Sequence, residues 1–369
     1  MTNSFPLTIP IIGILTSLGA LTQASETPPP SYSNGNMPDP CLLDSARPSV
    51  TKGWNLFTQA DWLYWKTNET GLGYALNQEH FDVTDPVLMG FGEVANPKFD
   101  WQSGFRVGVG YNIPHDQWDL TLLWTWNEGK GTDAQNSTDD ELPTILPVFI
   151  HPNIYNDESI AACKTAQYNA LIHLNVLDLD LGKEFKASKW FSIKPHFGLR
   201  SAWIHQIHNV SYNELFAKSG DLVLEEYLTH ITNNFWGLGV RGGLGADFGL
   251  KWGFSLIGDF SASLLYGVFE TSYSERFTTL SGLDGTTLAE DNSFHAGRVV
   301  TDIDLGLRWN RSFAKDRVRL LLQAGWEHHM FFSQNQIMHF VDGQSWGNFV
   351  QNQGDLYFQG WTTSFRFFF

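Results

Sequence analysis

The feature that most constrains this chain is its closing stretch, Asp355 to Phe369, which reads D-L-Y-F-Q-G-W-T-T-S-F-R-F-F-F. Tyr357, Trp361, Phe365, Phe367 and Phe369 stand at even spacings, and a β-strand sends such residues to one face. Phe358, Gly360, Thr362, Ser364 and Arg366 share the other face, which is smaller and more polar. Such a strand needs an apolar environment on one side and a polar one on the other. An edge strand of a soluble sandwich with an aromatic tail meets that condition, and so does a transmembrane barrel wall whose aromatics face lipid. The rest of the chain favours the barrel, because it repeats the pattern.

Alternating segments recur along the sequence. Trp54 to Lys66 sets Leu56, Thr58, Ala60, Trp62 and Tyr64 against Asn55, Phe57, Gln59 and Asp61. Phe99 to Asn112 sets Phe99, Trp101, Phe105, Val107, Val109 and Tyr111 against Asp100, Gln102, Gly104, Arg106, Gly108 and Gly110. Gln117 to Asn127, Ala166 to Gly182, Trp190 to Val210, Ile231 to Phe248, Trp252 to Phe269, Phe294 to Trp309 and Asp316 to Phe332 follow in the same style. Within Ala166 to Gly182 the apolar set moves from Ala170, Ile172, Leu174 and Val176 to Leu177, Leu179 and Leu181. A one-residue slip of this kind predicts a β-bulge.

The gaps between these segments alternate long and short. Long gaps at about 128–165, 211–230, 270–293 and 333–353 are polar; short ones fall near 113–116, 183–189, 249–251 and 310–315. Transmembrane barrels have long connections on one side and short turns on the other. The predicted fold is all-β: a transmembrane antiparallel β-barrel of about ten strands over residues 54–369, or twelve if a long gap hides a hairpin. The phase is physically consistent, because Arg or Lys facing lipid at midplane costs about 2–4 kcal/mol. Arg106, Lys194, Arg200, Arg241, Arg298, Arg308, Arg319 and Arg366 all fall on the inner phase, with Asp61, Asp119, Asp259, Asp302, Asp304 and Glu327. Tyr64, Tyr111, Trp124 and Trp309 are candidates for interfacial girdles.

Ahead of the barrel, residues 1–24 read as a secretory signal: an apolar run from Leu7 to Leu21, then Thr22-Gln23-Ala24. No Lys or Arg precedes the run, and a short membrane anchor is the other reading, although the run is below the roughly 18 residues a spanning helix needs. Residues 25–53, rich in Pro, Ser and Asn, read as a flexible periplasmic leader. Mean hydropathy is −0.21, yet aromatics make up 15% of the chain, a combination that fits strands in which only every second residue meets lipid. A net charge of −16 argues against nucleic acid as a partner. Cys41 and Cys163 fall on opposite sides of the predicted wall, Cys163 in an external loop, so free thiols or intermolecular pairing are favoured over an internal disulfide.

Catalytic, cofactor-binding and metal constellations are weak. His328 and His329 are strand neighbours and point to opposite faces, so they do not form one site. His80, Asp82, His151, Asp157 and His230 near the long gaps lack the spacing of a rim-type hydrolase, and no G-x-S-x-G motif occurs. The predicted pore-lining set is Arg106, Asp119, Lys194, Arg200, Arg241, Asp259, Asp302, Arg308, Arg319, Glu327 and Arg366. In an open lumen these charges select solutes; in a small barrel they pair and plug it.

A chain that stops on phenylalanine, with Phe365 and Phe367 before Phe369, resembles the C-terminal assembly signal of bacterial outer-membrane barrels. The segments A-D-W-L-Y-W-K, W-Q-S-G-F-R-V-G-V-G-Y, V-L-D-L-D-L-G and I-K-P-H-F-G-L-R-S-A-W-I resemble the Legionella-type major outer membrane protein family and the related proteins of environmental chlamydiae. That resemblance implies a bacterial outer-membrane location and a porin-like protein for passive diffusion of small hydrophilic solutes or ions. It implies outer-membrane lipid, the barrel assembly machinery and small solutes as partners, and no cofactor. A plugged barrel serving as a structural surface protein or adhesin is the alternative, and a rim-type hydrolase the third reading. Homo-oligomerisation stays open.

Overall fold

The computed structural model describes residues 55–78, 92–113, 118–137, 143–151, 160–217, 221–313, 318–340 and 348–369, all within one compact unit, Cys41–Phe369. The signal at 1–24, the leader at 25–53, Cys41, His80, Asp82 and Asp157 lie outside the described residues.

The principal strands are β1 (Leu56–Glu69), β2 (Trp101–Asn112), β3 (Asp119–Asn136), β4 (Ile160–Gly182), β5 (Phe191–Ala217), β6 (Leu222–Gly249), β7 (Phe254–Thr279), β8 (Asp284–Phe313), β9 (Val318–Phe331) and β10 (Leu356–Phe368). Each pairs antiparallel with its neighbours in the chain. β10 then returns to β1, from Phe57↔Phe368 to Glu69↔Leu356, and closes the ring. The described residues contain no helix. Closure is what a sheet needs in lipid, which supplies no partner for an open edge.

Along the turn-proximal part of the ring, aromatic and branched residues point outward. Val240, Leu305 and Tyr266 are 61%, 62% and 65% exposed, a level of bare apolar surface that only lipid covers at this scale. On β10, Trp361, Phe365 and Phe367 are exposed while Phe358, Thr362 and Ser364 are buried, as the alternation predicts. At the turn end Phe57 packs on Phe368 (5.1 Å between ring centroids) and Leu321, joining first and last strands by side chains as well as backbone.

Two sequence expectations are corrected. The β-bulge in 166–182 is absent: β4 pairs without a break from Thr165 to Gly182 against β3, and from Thr165 to Gly182 against β5. Ala170, Ile172, Leu174 and Val176 face inward, as do Asp178 and Asp180, while Leu179 faces out. The apolar set changes sides because the surroundings invert, with the register unchanged. Near the turns the outside is lipid and the inside polar. Further up, the outside is polar and the inside is a dry core. β7 repeats the inversion: Ser255, Asp259 and Ser261 line the inside low down, and Leu265, Phe269 and Tyr273 higher up.

The second correction concerns the long gaps. A membrane strand needs about 9–11 residues, but β5 to β8 have 27, 28, 26 and 30. Much of 128–136, 211–217, 222–230, 270–279 and 284–293 is therefore paired sheet extending beyond the lipid-facing band. Cys163 consequently lies in β4, fully buried, and not in an external loop.

Connections fold back into this upper part as a roof. Leu72 to Gln78, Ile145 to His151 and Gln334 to Phe340 carry the buried Leu72, Tyr74, Ile145, Phe149, Ile337 and Met338 into one core with inward residues of the ring. Hydrogen bonds latch it. The Tyr212 hydroxyl donates to the Tyr74 carbonyl (2.6 Å) and accepts from the Val148 and Phe149 amides (3.3 and 3.1 Å). Thr229 Oγ1 donates to the Phe149 carbonyl (2.9 Å), and the His151 amide to Glu275 Oε2 (3.2 Å).

Candidate functional site

Below the roof lies a cavity of about 230 Å³. Its wall contains ten of the eleven side chains predicted to line a pore: Arg106, Asp119, Lys194, Arg200, Arg241, Asp259, Asp302, Arg308, Glu327 and Arg366. Arg319 stands elsewhere, with Nε donating to Asn310 Oδ1 at 2.6 Å. Asp178, Asp180, Glu184, Asp247, Asp304, His196 and His329 also line the cavity. The predicted set lacks Asp178 and Asp180, although the sequence places them on the face opposite Leu177, Leu179 and Leu181.

The charges interlock. Arg106 reaches Asp61 Oδ2 (3.2 Å) and both oxygens of Glu327 (3.1 and 2.8 Å), with its Nε on Thr125 Oγ1 (3.0 Å). Arg200 holds Asp178 in a two-pronged pair (2.7 and 2.9 Å) and meets Asp302 Oδ2 at 2.8 Å. Arg241 bonds Asp180 and donates to Ser261 Oγ. His329 sits between Asp302 Oδ1 (2.8 Å) and Glu327 Oε2 (3.0 Å). Lys194 meets Asp119 (2.8 Å) and Arg308 meets Asp247 (2.8 Å). Arg366 donates to Gln59 Oε1. Two-pronged pairing of a planar guanidinium fixes geometry as well as charge.

Room for this network comes from small inward residues on β6. A Cβ at Gly243 would stand 2.5 Å from His196 Nε2, so only glycine lets that imidazole lie across the strand.

The roof closes the cavity to water on its side. At the level above it, inward residues from around the ring are all buried: Trp65, Asn127, Ile172, Ile204, Phe235, Leu265, Val300, Phe331 and Phe358 expose 3% or less. A water-wide passage beside any of them would leave that residue accessible surface. Among the described residues the lumen is charged below and dry above.

No three His, Cys, Asp or Glu side chains among the described residues converge as a metal site. His151 is buried in the roof, whereas His230 is on the exposed outer face, bonded to Asn209 (2.6 Å), so the two do not share a site. His328 stacks on Tyr357 and His329 packs at a tilt against Trp65, on opposite faces of β9, as strand geometry requires.

Comparison with known proteins adds the following. No curated protein matches the chain. Among solved structures, the outer membrane protease OmpT from Escherichia coli is 10% identical, covers 88% of this chain and 99% of its own, and has a TM-score of 0.39. The outer-membrane expressed OmpT of Vibrio cholerae is 8% identical over 87% of this chain and 100% of its own, with a TM-score of 0.11. At those scores neither likeness carries an argument. The model of the Legionella pneumophila major outer membrane protein precursor matches residues 46–369. A closed antiparallel ring with a lipid-facing apolar belt and a charged interior, matched to that model over nearly its whole length, belongs to the Legionella major outer membrane protein family and resides in the bacterial outer membrane.

Proposed function

We propose that this protein is a ten-stranded porin-like barrel, closed in the conformation described, with its long connections outside the cell and its short turns in the periplasm. The observation that supports it is the charged cavity beneath a roof built from connections. Displacing such a roof parts Ile145 from Cys163 of β4 but leaves the pairing among the ten ring strands intact, and small hydrophilic solutes or ions would then pass between the ion pairs. Strand and turn polarity follow the general asymmetry of outer-membrane barrels. No catalytic role is assigned to it.

The second reading is a permanently plugged structural surface barrel, favoured by the dryness of the roof and the interlocked pairs around Arg106 and Arg200. Planar-bilayer recording separates the two. The folded wild type should be silent or nearly so. A Phe149→Ala, Tyr212→Phe variant, which empties the roof and cuts its latch, should give stepwise, salt-dependent current. A variant that stays silent while heat-modifiable gel mobility shows it folded sinks the porin-like reading and leaves the structural barrel.

A further inference from the structure

The chain is acidic overall, with a net charge of −16, but that charge is not spread evenly. The outer surface of the turn end is cationic among the described residues. Lys183, Lys186 and Lys189 lie between β4 and β5, Lys251 between β6 and β7, and Arg311 near the end of β8. Within those stretches the one acid is Glu184, which lines the cavity and accepts from Ser192 Oγ at 2.7 Å. The turns at 114–117 and 314–317, outside the described residues, add two cations and two acids by sequence and leave the balance unchanged. Exposed acids such as Asp221, Asp284, Glu290 and Asp291 belong to the opposite end. The turn-end cations lie against rings: Lys183 over Trp118 and Phe185 (5.8 and 5.4 Å), Lys189 over Trp190 (5.4 Å) and Arg311 over Phe313 (5.8 Å). Aromatic bodies with cationic heads extending past them suit the boundary between hydrocarbon and headgroups.

A second, independent observation falls at the same end. Lys251 to Phe254 form a tight turn, closed by the Phe254 amide donating to the Lys251 carbonyl at 3.3 Å. Its central residues, Trp252 and Gly253, both have positive φ, 60° and 82°. That backbone favours Asn-Gly, and a bulky side chain at the first position is strained. Trp252 is also 89% exposed, the barest large apolar side chain among the described residues. Water offers an indole nothing that offsets the strain. A headgroup layer does, because it takes the apolar ring and the N–H together.

We propose that the turn end is a docking surface for anionic phospholipid headgroups of the periplasmic leaflet, with Lys186, Lys189 and Lys251 meeting the phosphates and Trp252 anchored among them. A lysine ammonium is a compact charge with three donors, suited to a phosphate that approaches from many angles. The assignment rests on the porin-like reading only for the leaflet, and it holds whether or not the barrel conducts.

Reversible urea unfolding of the full chain, in phosphatidylcholine vesicles with and without added phosphatidylglycerol, tests it. Two variants carry the same change of charge: Lys186→Gln, Lys189→Gln, Lys251→Gln at the turns, and Lys98→Gln, Lys130→Gln, Lys164→Gln on the upper part of the barrel. A basic residue near an anionic surface is worth about fivefold in an equilibrium constant. Phosphatidylglycerol should therefore raise the folding constant at least about tenfold more in the wild type than in the turn variant, and nearly equally in the wild type and the upper variant. The difference should vanish at about 1 M salt, where the Debye length is about 3 Å. No lipid-dependent difference between the wild type and the turn variant, or one that survives that salt, overturns the assignment. So does lysine-dependent cosedimentation with peptidoglycan in place of a lipid effect. If the turn variant lacks heat-modifiable mobility, Lys251→Gln alone replaces it, with about fivefold expected and no difference refuting. Trp252→Asn suits the bare turn better, so a turn that met only water would gain stability. The expected result is a several-fold loss of the folding constant in vesicles, and a gain overturns the anchoring role.

Discussion

Arg200→Met is the perturbation that most directly reads the state of the lumen. The Arg200 side chain is 4% exposed and answers two carboxylates, Asp178 at 10% and Asp302 at 8%. Asp302 keeps Arg241 at 3.6 Å and His329 at 2.8 Å, but Asp178 loses both of its guanidinium hydrogen bonds. Breaking a buried pair by removing one partner costs about 3–5 kcal/mol, because the other charge stays buried and uncompensated. The second change, Asp178→Leu in the Arg200→Met background, removes the stranded charge and should recover most of that loss. Lys164–Glu214, with side chains 33% and 50% exposed, is the internal control, and its Lys164→Met variant should shift stability by about 1 kcal/mol or less. The assay is reversible urea unfolding in lipid vesicles, followed by tryptophan fluorescence. A cost below about 1 kcal/mol for Arg200→Met would refute the reasoning, since that is the value of an exposed pair. It would mean that water in the cavity screens Asp178 as it screens a surface charge.

Three further outcomes are expected. On the lipid-facing belt, Val240→Arg or Leu305→Arg should destabilise the barrel in vesicles by about 2–4 kcal/mol, and a cost near zero would place those faces away from lipid. In the roof, Phe149 packs on His339 (4.4 Å) and Phe340 on His151 (5.0 Å), and burial holds both imidazoles below the ordinary histidine value of 6.5. A base with a depressed value in the closed roof stabilises closure fully above that ordinary value and loses the contribution as pH falls below it. Corrected for its intrinsic pH dependence, amide hydrogen exchange over 145–151 should therefore lose protection below about pH 6.5, and His151→Phe with His339→Phe should flatten the profile. Cys163, fully buried, should resist thiol reagents in the folded barrel and react on unfolding; prompt labelling of folded protein would place it at an accessible surface instead.

Much of the wall was legible because a lipid-facing strand has to alternate. The closing stretch put Phe365 and Phe367 outside and Ser364 inside, and the rule against cations in lipid set the phase of Arg106, Arg200 and Arg241. The long-and-short rhythm of gaps did the same for strand order. These properties are local: each follows from a residue and its neighbours two places away, and the ring pairs them as consecutive hairpins.

The roof was not legible, and the reason lies in what a period-two pattern encodes. Alternation distinguishes the two faces of a strand but not which face is dry. In β4 the change from Ile172 and Leu174 to Leu177 and Leu179 looks the same whether the strand slips or its surroundings invert. Only the positions of Tyr74, Phe149 and Ile337, carried in by connections distant in sequence, make the upper interior apolar. The partners of the lumen charges are decided at that level too. Sequence alone determined that Arg106 and Glu327 face inward. Their meeting at 2.8 Å, from strands 221 residues apart, depends on ring closure between β1 and β10, because closure brings β2 and β9 to within reach of one another across the first and last strands.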